Sequence, residues 1–339
     1  MKLLLYSIIT TLIFSCSTKH LHDSKSKPTL IETSSNKVFA SSITITDLKN
    51  HLNKIASDEF EGRKTGTEGQ KKAANYIRDF YSTNNILSPL SNGTYFQPIP
   101  KDFFRGRSDD DSENVLAFIE GTDKKEEIIV ISAHYDHLGV RGRKIYNGAD
   151  DDGSGTVAIM EIAQAFKIAV SKGKGPRRSL LFLHVTGEEI GLFGSKYYVQ
   201  NPIFPLKNTV TNLNIDMIGR VDDAHKTTPN FVYVIGSGKL SKELKSVSEY
   251  VNKKYTHLSL DYKFDAPEDP NRFYYRSDHY NFAKNGIPII FYFNGTHKDY
   301  HRESDTVDKI NFEVLEKRTK LIFFTAWELA NRENRVKVD

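Results

Sequence analysis

The chain has one cysteine, Cys16, among its 339 residues. It can therefore form no internal disulfide, and it has no second thiol with which to build a cysteine-bound metal site. The position of Cys16, close to the N-terminus, also excludes a cysteine nucleophile in the body of the chain. Any metal ion that the protein binds must be held by histidine nitrogens and carboxylate oxygens.

The chain also lacks an excess of charge of one sign. Its 47 Lys and Arg residues nearly balance 43 Asp and Glu residues, and the formal net charge of +4 is spread along the sequence. This distribution does not build the concentrated basic face that nucleic-acid binding uses, so we expect no nucleic-acid partner. A content of 38% hydrophobic and 27% charged residues is typical of a globular protein with one main domain.

The apolar run at the N-terminus, Leu3–Phe14, is too short to span a bilayer and matches the apolar region of a signal peptide. Its last part, Leu12–Cys16, resembles the lipobox of bacterial lipoproteins, in which a small residue precedes the cysteine that carries the lipid. The resemblance implies a lipoprotein-type signal peptide over residues 1–16 and an exported protein, anchored through Cys16 to the bacterial cell envelope in the periplasm or at the outer membrane. A plain secretory signal with an incidental cysteine is the alternative.

The region after Cys16 divides into a tether and a folded domain. Residues 17–40 are rich in Ser, Thr and Lys without an apolar period, which predicts a flexible tether, and a single domain is predicted over residues 41–339. Its first helix is expected to be capped by Thr46. A second helix is expected to begin at Thr67, because Thr67 and Gln70 have the spacing of a capping box.

Short apolar runs then alternate with helical patterns. Strands that are almost continuously apolar are covered on both faces, so the pattern predicts an α/β fold, a three-layer α/β/α sandwich with a central mixed, mostly parallel sheet. Ligands of such sheets collect beyond the carboxyl ends of the strands. The predicted strands are 128–133, 180–185, 212–217, 231–235 and 287–293, and the predicted helices among and after them are 156–170, one after Gly191, and 312–331.

Polar side chains follow three of these strands. His134 ends the first strand, and Asp136, two residues on, is expected to face the same way and to contact its imidazole, as metal-bound histidines require. Glu188 and Glu189 follow the second strand and diverge, so that one can bind a metal while the other faces a reacting water. Asp216 follows the third strand, and buried acids are uncommon without a partner. Taken singly, each also fits a structural histidine, a solvated helix start or a turn cap.

Between the first two strands lies NGADDDGSG, Asn147–Gly155, with three acids in a row. Carboxylates at contact distance repel one another, so a fold that gathers three of them needs either water or a cation to balance the charge. A later loop, GTHKDYHRESD, offers Tyr300 and His301 as further polar candidates.

The joint order of these motifs is H-x-D, G-A-D-D-D-G-S-G, T-G-E-E, N-x-D-M-I-G and Y-H. It resembles the co-catalytic zinc exopeptidases of peptidase family M28, which include secreted bacterial leucyl aminopeptidases, glutamate carboxypeptidase II and glutaminyl cyclases. The resemblance covers about residues 43–331 and implies the zinc-exopeptidase fold with two Zn²⁺ ions. It implies that His134 and Asp216 bind one zinc, that Glu189 and His301 bind the other, and that Asp151 bridges both.

The resemblance also implies catalytic roles for three residues. Glu188 would be the general base, Tyr300 would donate a hydrogen bond to the developing oxyanion, and Asp136 would orient His134. The implied function is an aminopeptidase that removes N-terminal residues from peptides in the cell envelope. Three alternatives remain open: a glutaminyl cyclase with a single zinc, a glutamate-releasing carboxypeptidase, and a catalytically inactive envelope binding protein of the same fold. The sequence does not indicate an oligomeric state.

Overall fold

The computed structural model describes residues 35–339. The predicted signal peptide with Cys16, and most of the predicted tether, lie outside the described residues. The helices are α1 Ser35–Ala40, α2 Ile45–Ile55, α3 Glu68–Thr83, α4 Gly155–Ser171, α5 Phe193–Gln200, α6 Lys242–Val251, α7 His279–Ala283 and α8 Phe312–Asn331. The strands are β1 Phe96–Ile99, β2 Ser112–Ile119, β3 Lys124–His134, β4 Gly139–Arg141, β5 Lys144–Tyr146, β6 Arg178–Val185, β7 Thr209–Ile215, β8 Phe231–Ile235, β9 Ser259–Asp261 and β10 Ile289–Phe293.

Eight strands form one sheet in the order β1-β2-β6-β3-β7-β10-β8-β9. The four central strands β6, β3, β7 and β10 are parallel, whereas β2 and β8 pair antiparallel with their central neighbours. Strands β4 and β5 form a separate hairpin. The predicted fold class, an α/β sandwich around a mixed and mostly parallel sheet, is confirmed.

Both faces of the sheet are covered, which explains why its central strands are continuously apolar. On one face Ile129 and Ile131 belong to the large core that includes residues of α2, α4 and α8. On the other face Ile128 and Val130 of the same strand pack in a second core with residues of α5 and α7. Alternate residues of β3 therefore serve two separate cores.

The N-terminal boundary of the folded domain differs from the prediction. Residues 35–40, assigned from the sequence to the tether, form α1. Phe39 is buried, and its ring lies 5.5 Å from that of Trp327 between ring centroids. The helix is too short to show a period in the sequence, and it is held by the burial of Phe39 and Ala40 against α4 and α8.

Two predicted helix caps also differ. The cap of α2 is Thr44 rather than Thr46, because the Thr44 hydroxyl accepts a hydrogen bond from the Asp47 main-chain N–H at 3.1 Å. The capping box at the start of α3 is not formed. Gln70 is instead buried, and its side-chain oxygen accepts a hydrogen bond from the Ser112 hydroxyl at 2.9 Å. Tertiary burial of Gln70 thus overrides the local motif.

Within residues 35–339, no helix combines the length and the apolar character that a membrane span requires.

A buried histidine on β6 gives the fold a measurable pH dependence. His184 is fully buried, its Nε2 lies 2.6 Å from the Tyr81 hydroxyl, and burial lowers the pKa of His184 to about 3. In the unfolded chain the pKa of His184 is roughly 6.5. Below that pH the unfolded state therefore binds a proton at His184 that the native state does not bind. Below roughly pH 6.5, the titration of His184 should therefore lower the free energy of unfolding by about 1.4 kcal/mol for each unit by which the pH decreases.

Urea titrations of wild type and His184→Gln at about pH 7 and about pH 5 measure this contribution. The wild type should lose about 2 kcal/mol more than the variant between the two conditions, because only the wild type carries the titrating imidazole. Equal losses in the two proteins would contradict the prediction. The comparison of slopes removes any destabilisation that the substitution causes at both pH values.

Candidate metal centre

The three polar strand ends meet at one edge of the sheet. His134 is the last residue of β3, Glu188 and Glu189 follow β6, and Asp216 follows β7. Because β6, β3 and β7 are adjacent and parallel, their carboxyl ends lie side by side at one edge. Residues far apart in sequence are thereby brought together by the order of the strands.

Asp151 reaches the same edge from the segment that leads into α4. The turn begins at Gly148, whose φ of 53° lies in the left-handed region, and a Cβ there would stand only 2.2 Å from the main-chain oxygen of Asp151. The Asp151–Asp152 peptide bond is cis. Asp151 is buried, with 3% of its surface exposed. The tight turn places the carboxylate between the strand ends.

The two oxygens of Asp151 face two different histidines. His134 Nε2 lies 3.2 Å from Asp151 Oδ1 and 3.6 Å from Asp216 Oδ1. His301 Nε2 lies 3.2 Å from Asp151 Oδ2 and 3.1 Å from Glu189 Oε2. The structure therefore brings together all five residues named from the sequence as metal ligands, in two groups that share Asp151.

The arrangement fits divalent metal ions of the zinc type. His134 Nε2, Asp151 Oδ2 and Glu189 Oε1 are buried and have no hydrogen-bond partner among the described residues, which is costly for polar atoms unless a cation binds them. Atoms that bind one zinc ion at 2.0–2.2 Å lie ~3.3 Å apart at tetrahedral angles. The four separations of 3.1–3.6 Å match this value. Imidazole and carboxylate donors without sulfur also suit zinc.

Asp136 holds this edge of the sheet differently from the prediction. His134 Nδ1 is 3.0 Å from the main-chain oxygen of Asp136 and 3.7 Å from its carboxylate, so the carbonyl rather than the side chain is its hydrogen-bond partner. The Asp136 carboxylate accepts hydrogen bonds from the Thr65 hydroxyl at 2.8 Å and from the Glu188 N–H at 3.2 Å. The predicted approach of the Asp136 carboxylate to the His134 imidazole is present at 3.7 Å, but the main-chain oxygen is the closer partner. Asp136 also fixes the backbone of Glu188.

Glu188 lines a cleft that opens onto the two groups. Asp151, Asp216 and His301 line the same cleft. Burial, with further effect from the Asp216 charge, raises the pKa of Glu188 well above its ordinary value when no cation balances the site. A carboxylate beside the ligand groups but outside both of them has the position that a general base requires.

Tyr300 lies beside His301, in the ligand group that also contains Glu189 and Asp151. Its ring stacks on that of His301 with 3.9 Å between centroids, and it lines the cleft. Burial, together with the nearby carboxylates of Asp151 and Glu189, raises the pKa of Tyr300, so that its hydroxyl stays neutral and can donate a hydrogen bond. The position is consistent with the predicted hydrogen-bond donor.

Residues 114–326, which include all five ligand positions, match the model of peptidase family M28. The chain belongs to peptidase family M28. This confirms the family predicted from the order of the motifs.

Individual M28 relatives agree with this assignment. A "Probable aminopeptidase" of Saccharomyces cerevisiae is 27% identical over 263 residues, which cover 74% of this chain and 67% of the relative. A "Probable zinc metalloprotease" of Pyrenophora teres is 28% identical over 265 residues, 64% of this chain and 51% of the relative. The chain spans between about half and two thirds of the length of the curated relatives it matches.

The fold is shared with solved structures. The LapA aminopeptidase of Legionella pneumophila superimposes with a TM-score of 0.69 at 24% identity, covering 93% of this chain and 79% of that one. At this level of identity the similarity concerns the fold.

Asp150, which the sequence left without a role, connects three loops of this M28 site. It is fully buried. Its Oδ1 accepts a hydrogen bond from the Gly219 N–H at 2.7 Å, and its Oδ2 accepts from Asn294 Nδ2 at 3.0 Å and lies 3.0 Å from His297 Nε2. Gly219 follows Asp216, and His297 precedes His301. One carboxylate therefore ties the Asp151 segment to two other ligand-bearing segments.

Asp305 binds the backbone of the segment that carries Asp150 and Asp151. Its Oδ2 accepts hydrogen bonds from the main-chain N–H groups of Asp150 and Asp151, at 3.0 and 3.1 Å. No local pattern could have revealed the pairing, because 154 residues separate Asp151 from Asp305.

Arg63 is a third residue near the ligands that the sequence did not indicate. Its guanidinium is fully buried and donates hydrogen bonds to four main-chain oxygens, those of Ile55, Tyr135, Asn147 and Gly148, at 2.7–3.0 Å. Burial lowers the pKa of Arg63 to about 10, which still leaves it charged at neutral pH. Arg63 thus joins the loop after His134 to the loop before Asp151.

The consecutive residues Ser277, Asp278 and His279 do not form a hydrolytic triad, because Asp278 and His279 have separate partners. The Asp278 carboxylate accepts a hydrogen bond from the Ser195 hydroxyl, and His279 Nε2 lies 2.8 Å from the main-chain oxygen of Tyr274. These contacts fix the cleft wall.

Proposed function

We propose that this M28 protein is an aminopeptidase that uses two zinc ions to release N-terminal residues from peptides. The observation that carries the proposal is the position of Asp151, whose two oxygens lie 3.2 Å from His134 on one side and from His301 on the other. A carboxylate shared in this way suits a pair of ions rather than a single one. The names of the relatives support the same class of reaction.

The roles of the side chains follow from their positions. His134 and Asp216 would hold one ion, Glu189 and His301 the other, with Asp151 between them. When bound, zinc ions polarise a carbonyl oxygen and lower the pKa of water. Glu188 would take the proton from the attacking water and deliver it to the leaving amine. Tyr300 would stabilise the negative oxygen of the intermediate by a hydrogen bond.

The cleft beside the ligand groups is where a substrate would bind. Its lining includes four apolar side chains, those of Met217, Phe273, Phe291 and Phe293, as well as Arg276 and Thr296. Apolar first residues are therefore the substrates with which to begin.

The proposal is tested with aminoacyl anilides and short peptides, each with a free or an acetylated amino group. An aminopeptidase cleaves only the free forms, loses activity with a chelator and regains it with zinc. Metal analysis should find two zinc ions per chain. One zinc with cyclisation of N-terminal glutamine would indicate a glutaminyl cyclase, and a chain that binds no zinc and cleaves nothing would be a binding protein.

We also propose that the protein is exported and held at the cell envelope by a lipid on Cys16. The support is the sequence Leu12–Cys16 alone. In a bacterial host, wild type should fractionate with membranes and incorporate labelled fatty acid, whereas Cys16→Ser should do neither, because the only thiol is removed. A Ser15→Ala variant keeps a small residue before the cysteine and should behave as wild type. Membrane association of Cys16→Ser equal to that of wild type would refute the anchor.

A further inference from the structure

A third histidine faces the candidate metal centre. His137 lies three residues after His134, where the chain has left β3 and not yet entered β4. It is buried, with 1% of its surface exposed, and its main-chain N–H donates a hydrogen bond to the Arg63 carbonyl at 3.1 Å. The ring packs against Gly148, where a Cβ would come within 2.5 Å of it. The turn at Gly148 therefore leaves room for the imidazole.

His137 faces the same two carboxylates as His301. Its Nδ1 lies 2.6 Å from Glu189 Oε1 and 3.8 Å from Asp151 Oδ2. His301 reaches the other oxygen of Glu189, at 3.1 Å. The two imidazole rings are 6.0 Å apart between centroids and inclined by 64°. Glu189 thus lies between two histidines, each next to a different oxygen.

His137 Nδ1 and Glu189 Oε1 lie 2.6 Å apart, yet neither atom has a partner with full hydrogen-bond geometry within residues 35–339. Polar atoms buried in this way lose free energy unless something binds them. A cation between Nδ1, Oε1 and Asp151 Oδ2 would satisfy all three atoms, and these ligand atoms lie within 4.8 Å of one another.

We propose that His137 is a third histidine ligand of the metal pair, on the ion shared by Asp151, Glu189 and His301. The inference rests on the proposed two-zinc site. It makes the site asymmetric, because this ion gains a fourth protein ligand while the other has only His134, Asp216 and the shared Asp151. Zinc with four protein ligands is typical of tightly held ions, whereas three ligands leave a position open. The ion near His137 should be the last to leave.

Competition with a chromophoric chelator measures the two zinc affinities separately. His137→Gln should weaken the tighter site by more than 100-fold, beyond the roughly 10–100-fold that is typical of a residue that only orients a ligand. Glutamine can still donate a hydrogen bond to Glu189, so a purely orienting role would be largely preserved. The matched control is His297→Gln, because His297 is also a buried histidine beside a carboxylate but contacts Asp150. Its loss should not exceed about 100-fold.

Cobalt substitution gives a readout that does not depend on activity. Replacing a ligand changes the visible absorption of bound Co²⁺, so the spectrum of His137→Gln should differ from wild type and that of His297→Gln should not. A loss of less than 100-fold with an unchanged spectrum would overturn the proposal and leave His137 as an orienting residue.

Measurements on wild type decide the question if His137→Gln fails to fold. X-ray absorption of the fully loaded protein should count three imidazoles for two ions, and a count of two would overturn the inference. A wild type that binds two zinc ions with two imidazoles contradicts His137 alone. A wild type that binds one ion or none contradicts the two-zinc function itself, so the two failures are distinguishable.

Discussion

Replacing Glu188 with Gln should lower kcat about 10²–10⁴-fold while the variant keeps its full zinc content. Gln has almost the same shape as Glu but cannot accept a proton from water. Glu188 lines the cleft next to the ligand groups, and its hydrogen bonds are made by its backbone, whose N–H donates to Asp136 at 3.2 Å and whose carbonyl accepts from the Gly191 N–H at 2.8 Å. The substitution should therefore leave the ligands in place and remove only the proton transfer.

The adjacent acid provides the matched control. Glu189→Gln changes the same chemical group one residue away, but Glu189 lies 3.1 Å from His301 and belongs to a ligand group. It should lower the zinc content or affinity as well as the rate. Steady-state kinetics on an aminoacyl anilide, with metal analysis of each protein, separates the two cases. A Glu188→Gln protein that turns over like wild type, or that loses zinc like the Glu189 variant, would show that the base has been assigned wrongly.

The residues that could be predicted from the sequence share one property. His134, Glu189 and Asp216 each lie at or just after the end of an almost fully apolar run. In a sheet covered on both faces, polar side chains of this kind reach solvent or a ligand at the strand ends. The central strands could therefore be predicted from the sequence. The edge at which the polar residues meet could also be predicted, because the strands were expected to be parallel.

The residues that could not be predicted act between loops. Asp150 and Asp305 are joined through main-chain N–H groups, and Arg63 binds four main-chain oxygens from three separate segments. Contacts to the backbone leave no pattern of residue types, and these partners are between 8 and 155 positions apart. His137 is the second histidine of H-Y-D-H, which was a weak signal. In a strand, residues three apart face opposite ways, so the pattern predicts that His137 faces away from His134. The chain leaves the strand at His134, so the alternation ends there.

Replacing Arg63 with Leu should lower the free energy of unfolding by about 4 kcal/mol or more. The substitution leaves four main-chain oxygens without their donor, and each unsatisfied buried group costs roughly 1–3 kcal/mol. Urea denaturation of the metal-free proteins measures the loss directly. A change below about 1 kcal/mol would mean that water replaces the guanidinium, and the structural role of Arg63 would be wrong.

Arg178 offers a matched control for the effect on metal binding. It is also fully buried, and its guanidinium donates to the main-chain oxygens of Leu329, Arg332 and Glu333. It lies at the first residue of β6, about 25 Å along the strand from the edge that carries Glu189. Arg178→Leu should destabilise the fold to a similar extent and leave the zinc affinities unchanged, whereas Arg63→Leu should weaken both.

Two effects of Arg63 on zinc binding oppose each other, and their balance identifies its role. Its charge lies near Asp136 and Asp151, so removing it should strengthen the binding of a cation. Its hydrogen bonds fix Asn147 and Gly148 just before the bridging carboxylate, so losing them should weaken binding about 10–100-fold. We expect the second effect to dominate, because zinc binding requires ligands held in place.

Arg63→Lys keeps the charge and loses most of the bonds, so it should bind zinc as weakly as Arg63→Leu. A lysine variant with wild-type affinity would show that charge is what matters.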